Sequence, residues 1–600
     1  MPNFFMSNLK IILVLCFGLW YNIKGDAKMY LYIDKGKYGH NTLYVAKKYR
    51  NENGKSTSKL IERLGRYEDL AKIHDDPVAW AKEYIALLNN QEEKSKKITL
   101  TYETKQLIEK NNDVLYDGGY LFLQKYFYSL GLDKICKNIA KRYSFKYDLT
   151  NILAVLIYGR ILFPTSKLGT FEYSKKMLEK YDFSQMDIYR ALEVISKEKD
   201  YIQAELYHNS KMLGKRNDKI LYYDCTNYYF EIEQERGMAK YGLSKEHRPN
   251  PIVEMGLFMD GDGIPLAFCL TDGNTNEQKT LQPLENQIIQ DFDNAQFVVC
   301  TDAGLSSAAN RKFNNKEGRA FITTQSLKKM KDYQKTWALS ANGWHLPGVK
   351  QTFNLEKILD DEKLCEKYRL NTFYKEEWFN ENGIEQRFIV TFSLKYKNYQ
   401  RNIRNEQIER AKKALLSNIK TERNRQSDYK RFITKTAITN DGEIAEKKIY
   451  TLNEDKILEE EKYDGFYCVA TNLEDEASEI IRINHRRWEI EESFRIMKTE
   501  FSARPVFLSR DDRITAHFTV CFLALVLYRY FEKAMGQKYT CHQLLEQLKS
   551  IKFFKAQEGY LPAYTRNDLT DDLHKVFGER TDYQFTTFGD MKKIISFSKK

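Results

Sequence analysis

Paired cysteines are the first feature that this sequence lacks. Its nine cysteines are an odd number, and they are scattered without a single C-x-x-C pair. This usage argues against a disulfide framework and against a zinc site built on cysteines. It fits a reducing compartment, and we expect the protein in the cytoplasm.

A clear membrane-spanning segment is also lacking. The apolar run at 11–20 resembles the hydrophobic part of a signal peptide but is too short to cross a bilayer. The longer run at 514–531 contains His517, Arg529 and Tyr530, so we interpret it as a core helix. We expect no membrane and interpret residues 1–28 as a mis-assigned extension before a start at Met29. An exported protein is the alternative, and it depends on 11–20 alone.

The composition excludes a disordered chain and favours a polyanionic partner. Hydrophobic residues make up 42% and aromatic residues 14% of the 600 residues, which is too apolar for disorder. The net charge is +12, and residues 393–432 hold twelve Lys or Arg against four Asp or Glu. Such a balance is typical of nucleic-acid binding, although an AT-rich genome would also enrich lysine.

Changes in amino-acid composition and in hydrophobic periodicity along the chain predict several domains. We expect a small β/α module with a connector at 29–110, including a basic helical stretch at 59–66. A helical domain that we expect to bind DNA follows at 111–217. The first part of an α/β core lies at 218–320, an insertion domain at 321–465, the second part of the core at 466–535, and a helical tail at 536–600.

Two aspartates stand at strand positions within the predicted core. Asp224 interrupts the aromatic strand K-I-L-Y-Y-D-C-T-N-Y-Y-F, where a charge is costly to bury unless it is paired or binds a metal. Asp302 ends the apolar run Q-F-V-V-C-T-D, and active sites gather at the carboxyl ends of strands in open α/β sheets. Three strands, a helix and a further strand give the order β-β-β-α-β that opens a ribonuclease-H-like fold.

The stretch N-H-R-R-W-E-I-E-E-S-F-R-I-M-K at 484–498 lacks glycine and proline, and its apolar residues recur at helical spacing. On one amphipathic helix, Arg487, Glu491 and Lys498 would lie on or near one face. A carboxylate between two cations suggests a site for a metal and a phosphate. A solvated helix with ion pairs is the alternative.

Asp224, Asp302 and Glu491 together suggest a metal-dependent phosphodiester reaction. Carboxylate oxygens are the ligands that Mg²⁺ or Mn²⁺ prefers. Two such ions could activate a water or a 3′-hydroxyl and stabilise the leaving oxygen of an in-line displacement.

An ordered set of motifs carries a family resemblance over residues 29–531. The set comprises Y-Y-D-C-T, H-R-P, G-I-P-L-A-F, G-N-T-N-E, T-D-A-G and the stretch at 484–498. It resembles bacterial insertion-sequence transposases of the Asp-Asp-Glu type, in the group with a Tyr-x2-Arg-x3-Glu-x6-Lys signature. The resemblance implies a ribonuclease-H-like catalytic core interrupted by a β-rich insertion domain, which is an α/β fold.

The resemblance assigns roles to particular residues. Asp224, Asp302 and Glu491 would bind two Mg²⁺ or Mn²⁺ ions, and Arg487 and Lys498 would hold phosphates near the cleaved end. Asn484 stands where the family has tyrosine, which puts one DNA contact in doubt but removes no metal ligand.

Further DNA contacts are expected outside the signature stretch. An aromatic residue of the insertion domain can stack on a flipped base in relatives, so Trp337 and Trp344 are candidates, with a place in the core as the alternative. His247 and Arg248 lie in a basic loop that could touch DNA or be simply solvated. We expect Trp488 to pack the signature helix.

The expected function is therefore DNA transposition. The chain would bind the terminal inverted repeats of its insertion sequence as a homodimer, cut double-stranded DNA at the ends and join the 3′-hydroxyls to target DNA. Two alternatives stay open: a catalytically inactive or repurposed DNA-binding protein, and a metal-dependent nuclease without strand transfer.

Overall fold

A computed structural model describes residues 28–36, 41–50, 55–95, 98–110, 112–316, 318–381, 383–416, 428–438 and 447–600. The apolar run at 11–20 and nearly all of the expected extension at 1–28 lie outside these residues. The chain divides into two compact units, Met1–Ile108 and Glu109–Lys600.

The first unit is a small antiparallel sheet with two helices. Its strands pair in the order β1-β2-β3, and the elements are β1 (Met29–Lys35), β2 (Asn41–Arg50), β3 (Ser56–Arg66), α1 (Tyr67–Leu70) and α2 (Pro77–Ser95). The helix expected at 59–66 is wrong, because those residues form most of β3 and pair with β2. Hydrogen bonds to a neighbouring strand here override the local helical pattern.

The second unit begins with one short strand and six helices: β4 (Leu115–Asp117), α3 (Tyr120–Ser129), α4 (Leu132–Ala140), α5 (Leu149–Leu162), α6 (Lys167–Lys175), α7 (Gln185–Lys197) and α8 (Lys199–Leu213). Ser166 Oγ accepts a hydrogen bond from the Gly169 N–H at 3.1 Å, so Ser166 caps the start of α6. The apolar faces of these helices are buried in the main core.

A mixed sheet follows, with the strand order β7-β6-β5-β8-β9. Its elements are β5 (Ile220–Tyr229), β6 (Ile252–Asp260), β7 (Pro265–Asp272), α9 (Leu281–Asp291), β8 (Phe297–Thr301), α10 (Ala308–Phe313) and β9 (Arg319–Thr324). β5 is antiparallel to β6 and parallel to β8. This places β5 in the middle of the five strands.

The region expected as an insertion domain, together with β16 from the expected second part of the core, lengthens this sheet to ten strands in the order β11-β10-β12-β13-β16-β9-β8-β5-β6-β7. The added elements are α11 (Asp332–Leu339), β10 (Trp344–Leu346), β11 (Val349–Phe353), α12 (Leu355–Leu359), α13 (Glu362–Lys367), β12 (Thr372–Glu381), β13 (Ile384–Ser393), α14 (Leu394–Leu416), β14 (Ile433–Ile438), β15 (Lys447–Leu452), α15 (Glu454–Glu461) and β16 (Phe466–Thr471). β14 and β15 form a separate hairpin. The interruption is therefore continuous with the core sheet through the β16–β9 pair.

The basic segment at 393–432 is not uniformly a surface for DNA. Arg404 on α14 is buried and donates two hydrogen bonds to Asp464, at 2.6 and 2.5 Å. Arg431 pairs with Glu460 at 3.0 Å. Part of the local positive charge is therefore used inside the protein.

The chain ends with α16 (Ala477–His485), α17 (Trp488–Thr499), α18 (Asp511–Ala534), α19 (Cys541–Ser550), β17 (Lys552–Lys555), β18 (Gly559–Pro562), α20 (Asp568–Phe577), β19 (Thr586–Thr587) and α21 (Phe588–Phe597). The expected helical tail at 536–600 needs correction. Three of its segments are strands, and they form a four-stranded sheet, β19-β18-β17-β4, with the strand that precedes α3. Pairing with a distant strand decided this structure, which a local pattern does not reveal.

The apolar helix α18 lies at the centre of the second unit. It is long and apolar enough to cross a membrane, yet 89% of its most apolar window is buried inside the protein. It packs against α3, α5 and α7 and against β7. The expectation of an α/β fold is confirmed, because large sheets pack with many helices, and α18 contributes to the main core of the second unit.

Candidate active site

Asp224 and Asp302 occupy neighbouring positions on adjacent parallel strands. The paired residues of β5 and β8 differ by 78 in number, as in Ile220 with Val298 and Tyr222 with Cys300. Asp224 and Asp302 differ by the same number, so they lie just beyond the last paired residues of the two strands, and the charge of Asp302 acts on Asp224. Asp302 directly follows β8, and its Oδ1 accepts a hydrogen bond from the Leu305 N–H at 3.0 Å.

Several charged groups lie close enough to Asp224 to shift its pKa. Burial raises the pKa of Asp224 to about 6. The cations Lys245 and Arg487 oppose this rise, and the negative charge of Asp302 adds to it. A carboxylate that is buried beside a second carboxylate gains most from a bound cation, because a cation relieves both penalties.

The signature stretch is not one helix. α16 ends at His485 and α17 begins at Trp488, with a turn at Arg486 and Arg487 between them. The Arg487 N–H bonds to Asn484 at 3.3 Å and the Ile490 N–H bonds to Arg487 at 3.2 Å, both three residues back along the chain. The break separates Asn484 from the rest of the stretch, whereas Glu491 and Lys498 lie on α17 and Arg487 is the N-cap residue of that helix.

Arg487 and Lys498 nevertheless both act on Asp224. Arg487 opposes the rise of the Asp224 pKa, and its Nε is buried without a hydrogen-bond partner in the described part of the chain. Lys498 lies 5.4 Å from the ring centre of Tyr228, next to the active strand β5. Burial, with a further contribution from Lys245, lowers the pKa of Lys498 to about 8. A phosphate would stabilise its charged form.

Glu491 is exposed on α17, and the structure does not bring it into a cluster with the two aspartates. Within the described residues, no group of three His, Cys, Asp or Glu side chains is placed to hold a metal ion. The aspartate pair fits a divalent cation by its charge and oxygen donors. The three-carboxylate site expected from the sequence is not assembled in this structure.

The basic loop after β5 brings charged side chains close to Asp224. Lys245 Nζ donates to the backbone oxygen of Cys225 at 2.5 Å and pairs with Glu277 at 2.8 Å. Glu246 accepts from Lys498 Nζ at 3.4 Å and also pairs with Arg504. Lys245 and Glu277 are site residues that the sequence analysis did not select.

Glu254 is a further carboxylate that the sequence analysis missed. It lies on the fully buried strand β6, opposite Asn227, which donates to its Oε1 at 3.2 Å. Burial raises the pKa of Glu254 to about 7, and Glu277 adds to the rise while Lys245 and Lys498 oppose it. The sequence contained a signal for this residue, because Glu254 interrupts an apolar strand just as Asp224 does.

The structure revises the expected role of Asn484. This residue is buried, and its Nδ2 donates to the Tyr467 hydroxyl at 3.1 Å. A buried side chain with a protein partner is not a DNA contact. His247 and Arg248 are exposed in the basic loop, and the Arg248 guanidinium stacks 4.1 Å above the Tyr229 ring.

The tryptophans differ in how far they are buried, and this decides which of them could contact DNA. Trp344 is completely buried in the core of the lengthened sheet, and its Nε1 donates to Ser340 at 2.9 Å, so it cannot stack on a base here. Trp337 is partly buried against Phe379. Trp378 is 40% exposed, and Trp488, which we expected to pack the signature helix, is 55% exposed.

Comparison with known proteins identifies the central part of the chain. Residues 231–527 match the model of the family described as the transposase DDE domain. This region is therefore similar to transposase DDE domains. The match includes Asp302 and the signature stretch and begins seven residues after Asp224, so the DDE domain as matched starts beyond the first aspartate. The expected resemblance to Asp-Asp-Glu transposases is confirmed at this level.

Similarity beyond the DDE domain is faint. No curated protein sequence matches the chain. Among solved structures, the piggyBac transposase synaptic complex with hairpin DNA aligns with 72% of this chain and 80% of that chain. The identity is 8% and the TM-score is 0.34, which does not establish a common fold.

Proposed function

We propose that the chain is a DNA transposase that cuts the ends of its own insertion sequence and transfers the 3′-hydroxyl ends to target DNA. The observation that supports this proposal is the closeness of Asp224 on β5 to Asp302, which directly follows the parallel strand β8, in a chain whose residues 231–527 match the transposase DDE domain family. The strand order β7-β6-β5-β8-β9 supports a ribonuclease-H-like core with Asp224 on its central strand.

The residues around the pair supply the chemistry of phosphodiester cleavage. Asp224 and Asp302 would hold divalent ions, Mg²⁺ or Mn²⁺ and in all two, with Glu491 as a further ligand. Such ions activate the attacking oxygen and stabilise the leaving oxygen. Arg487 and Lys498 would bind the phosphates beside the cut, because cations form strong charge-assisted hydrogen bonds to phosphate oxygens.

The wider assembly follows from the same proposal. Joining two ends of an element requires two copies of the chain, so we propose a homodimer on double-stranded DNA that holds both terminal inverted repeats. The helices at 111–217 would contribute to DNA binding, with His247 and Arg248 as further contacts. The protein would act in the cytoplasm on the nucleoid, without a membrane.

A DNA-binding protein without catalysis is the second candidate. The observation that favours it is the position of Glu491, which does not join the two aspartates in the described structure. A nuclease that cuts without joining is a further outcome that the same experiment detects.

The test is cleavage and joining of a labelled duplex that carries the element's own end, with Mg²⁺ or Mn²⁺ and a target plasmid. We expect the parent chain to cut and join, and Asp302→Asn to bind the duplex but lose at least a thousandfold in cutting rate. The control is Asp293→Asn, an exposed aspartate at φ 51° shortly before β8. Asparagine tolerates this conformation, so the control should keep full activity.

The other possible results of this experiment distinguish the alternative functions. Tight binding without cutting in either metal would support the DNA-binding protein. Cutting without joining would support the nuclease. Equal activity of the parent and Asp302→Asn would remove Asp302 from the active site.

A further inference from the structure

The sheet of the first unit has one covered face and one open face. Side chains alternate between faces along a strand, so Leu43 and Val45 of β2 point one way and Tyr44 and Ala46 the other. Leu43 packs with Leu70 and Ala81 of the two helices, which therefore cover the Leu43 face. Among the described residues of this unit, the two helices lie on the Leu43 side and no helix lies against the Tyr44 face.

Three tyrosines lie on the open face. Tyr32 is directly opposite Tyr44, and their ring centres are 6.5 Å apart. Tyr30 is opposite Ala46, one step along the same face, and its hydroxyl donates to Ser58 at 2.6 Å. Tyr32 is 42% exposed. The face thus presents aromatic rings with hydroxyl groups to its surroundings.

Cations surround these rings. Arg63 of β3 is opposite Tyr44, and the Lys48 Nζ lies 5.8 Å from the Tyr30 ring centre. Both cations are exposed, and neither forms an ion pair with a carboxylate among the described residues. Residues 29–66 hold nine Lys or Arg against three Asp or Glu. An uncompensated positive charge on an open face is complementary to a polyanion.

We propose that this open face, formed by Tyr30, Tyr32, Tyr44, Lys48 and Arg63, binds duplex DNA. Strands of this kind can lie along a groove of DNA, with cations and tyrosine hydroxyls bonding to phosphates. The inference rests on DNA being the partner in the proposed function. It adds a DNA-binding surface in a unit separate from the DDE domain, and it does not require catalysis.

The experiment measures binding of the full chain to a labelled duplex of the element's end between 50 and 200 mM salt. The variant Lys48→Gln/Arg63→Gln removes two charges from the open face. The matched control is Lys47→Gln/Lys59→Gln, because these lysines face each other across the same two strands on the helix-covered side. Unchanged melting temperatures establish that both variants are folded.

We expect the open-face variant to lower the slope of log affinity against log salt by about 1.8, since each lost phosphate contact contributes about 0.9. Affinity at 150 mM salt should fall roughly thirtyfold by the same relation, while the control stays near the parent. Equal losses in both variants, or none, would overturn the proposal. Loss of self-association without loss of DNA affinity would overturn it too, and would make a second copy the occupant.

The two proposals fail in different ways. If the parent never cuts DNA but the open-face variant loses affinity, the sheet surface stands and the transposase proposal falls. If the parent cuts and joins while the open-face variant binds as tightly as the parent, only the sheet surface falls. A parent chain that binds no DNA would overturn both.

Discussion

Glu254 is a carboxyl group in the middle of a fully buried strand, and its Oε2 has no hydrogen-bond partner among the described residues. Burial raises its pKa to about 7, from an ordinary value of 4.5. In the folded protein it stays protonated up to near neutrality, whereas in the unfolded chain it ionises near pH 4.5. Stability is therefore lost as the pH rises from about 4.5 to 7.

We predict that Glu254→Gln stabilises the protein at pH 8, by up to about 3 kcal/mol, and that this gain vanishes towards pH 4.5. Glutamine keeps the acceptor for Asn227 and cannot ionise. The measurement is the urea or thermal midpoint of both proteins across this pH range. The control, Glu377→Gln on an exposed strand position, should show no comparable pH-dependent gain. A gain that is the same at every pH would contradict the assigned pKa.

At the scale of elements, the break between α16 and α17 decides where the signature residues lie. The Tyr222 hydroxyl on β5 donates to the backbone oxygen of Ile483 at 2.9 Å, within the buried core. This bond ties the end of α16 to the strand that carries Asp224. It therefore helps to position Arg487, four residues further on, beside that strand.

We predict that Tyr222→Phe lowers stability by about 1 kcal/mol, the usual contribution of one hydrogen bond, and reduces end cleavage more than it reduces DNA binding. The reason is that the ring stays buried while the anchor of α16 is lost. Thermal unfolding and single-turnover cleavage measure the two effects. Tyr583→Phe, at an exposed position, is the control. Cleavage at the parent's rate would show that the anchor does not position the site.

At the scale of the whole molecule, the chain comprises two units of very different size. The first has a small core around Leu43, Leu70 and Ala81, and the second has a core that extends through the sheet and α18. Between α2 and β4, Leu107 and Ile108 are 90% and 81% exposed. Exposed connecting chain is where proteases cut folded proteins.

We predict that brief trypsin treatment cuts first at Lys105 or Lys110 and releases a stable product that begins at Gln106 or Asn111. Mass spectrometry of the earliest products identifies the cut. The same digestion in urea should cut throughout the chain. Early cuts within the central sheet, with 98–110 intact, would contradict the division into two units.

Much of this architecture is readable from local pattern. The aromatic strand around Asp224, the strand before Asp302 and the apolar helix at 514–531 are all where periodicity predicts them, because burial imposes its own spacing on apolar residues. The α/β class and the resemblance to Asp-Asp-Glu transposases follow from the order of these motifs, and both are confirmed. The strand at 59–66 was missed because its pairing with β2 overrides a local helical pattern, and the C-terminal sheet was missed because β17 also pairs with β4, which is distant in sequence.

What the sequence by itself determined is the set of elements and the identity of the acidic and basic residues. Only the tertiary structure decided which of them meet. The parallel pairing of β5 with β8 brought Asp302 close to Asp224, and packing of α17 against β5 brought Arg487 within reach of Asp224. Pairing across the sheet also buried Trp344 and Asn484 and brought Lys245 and Glu254 to the site. Contacts between residues far apart in the chain set these outcomes, and local spacing carries no record of them.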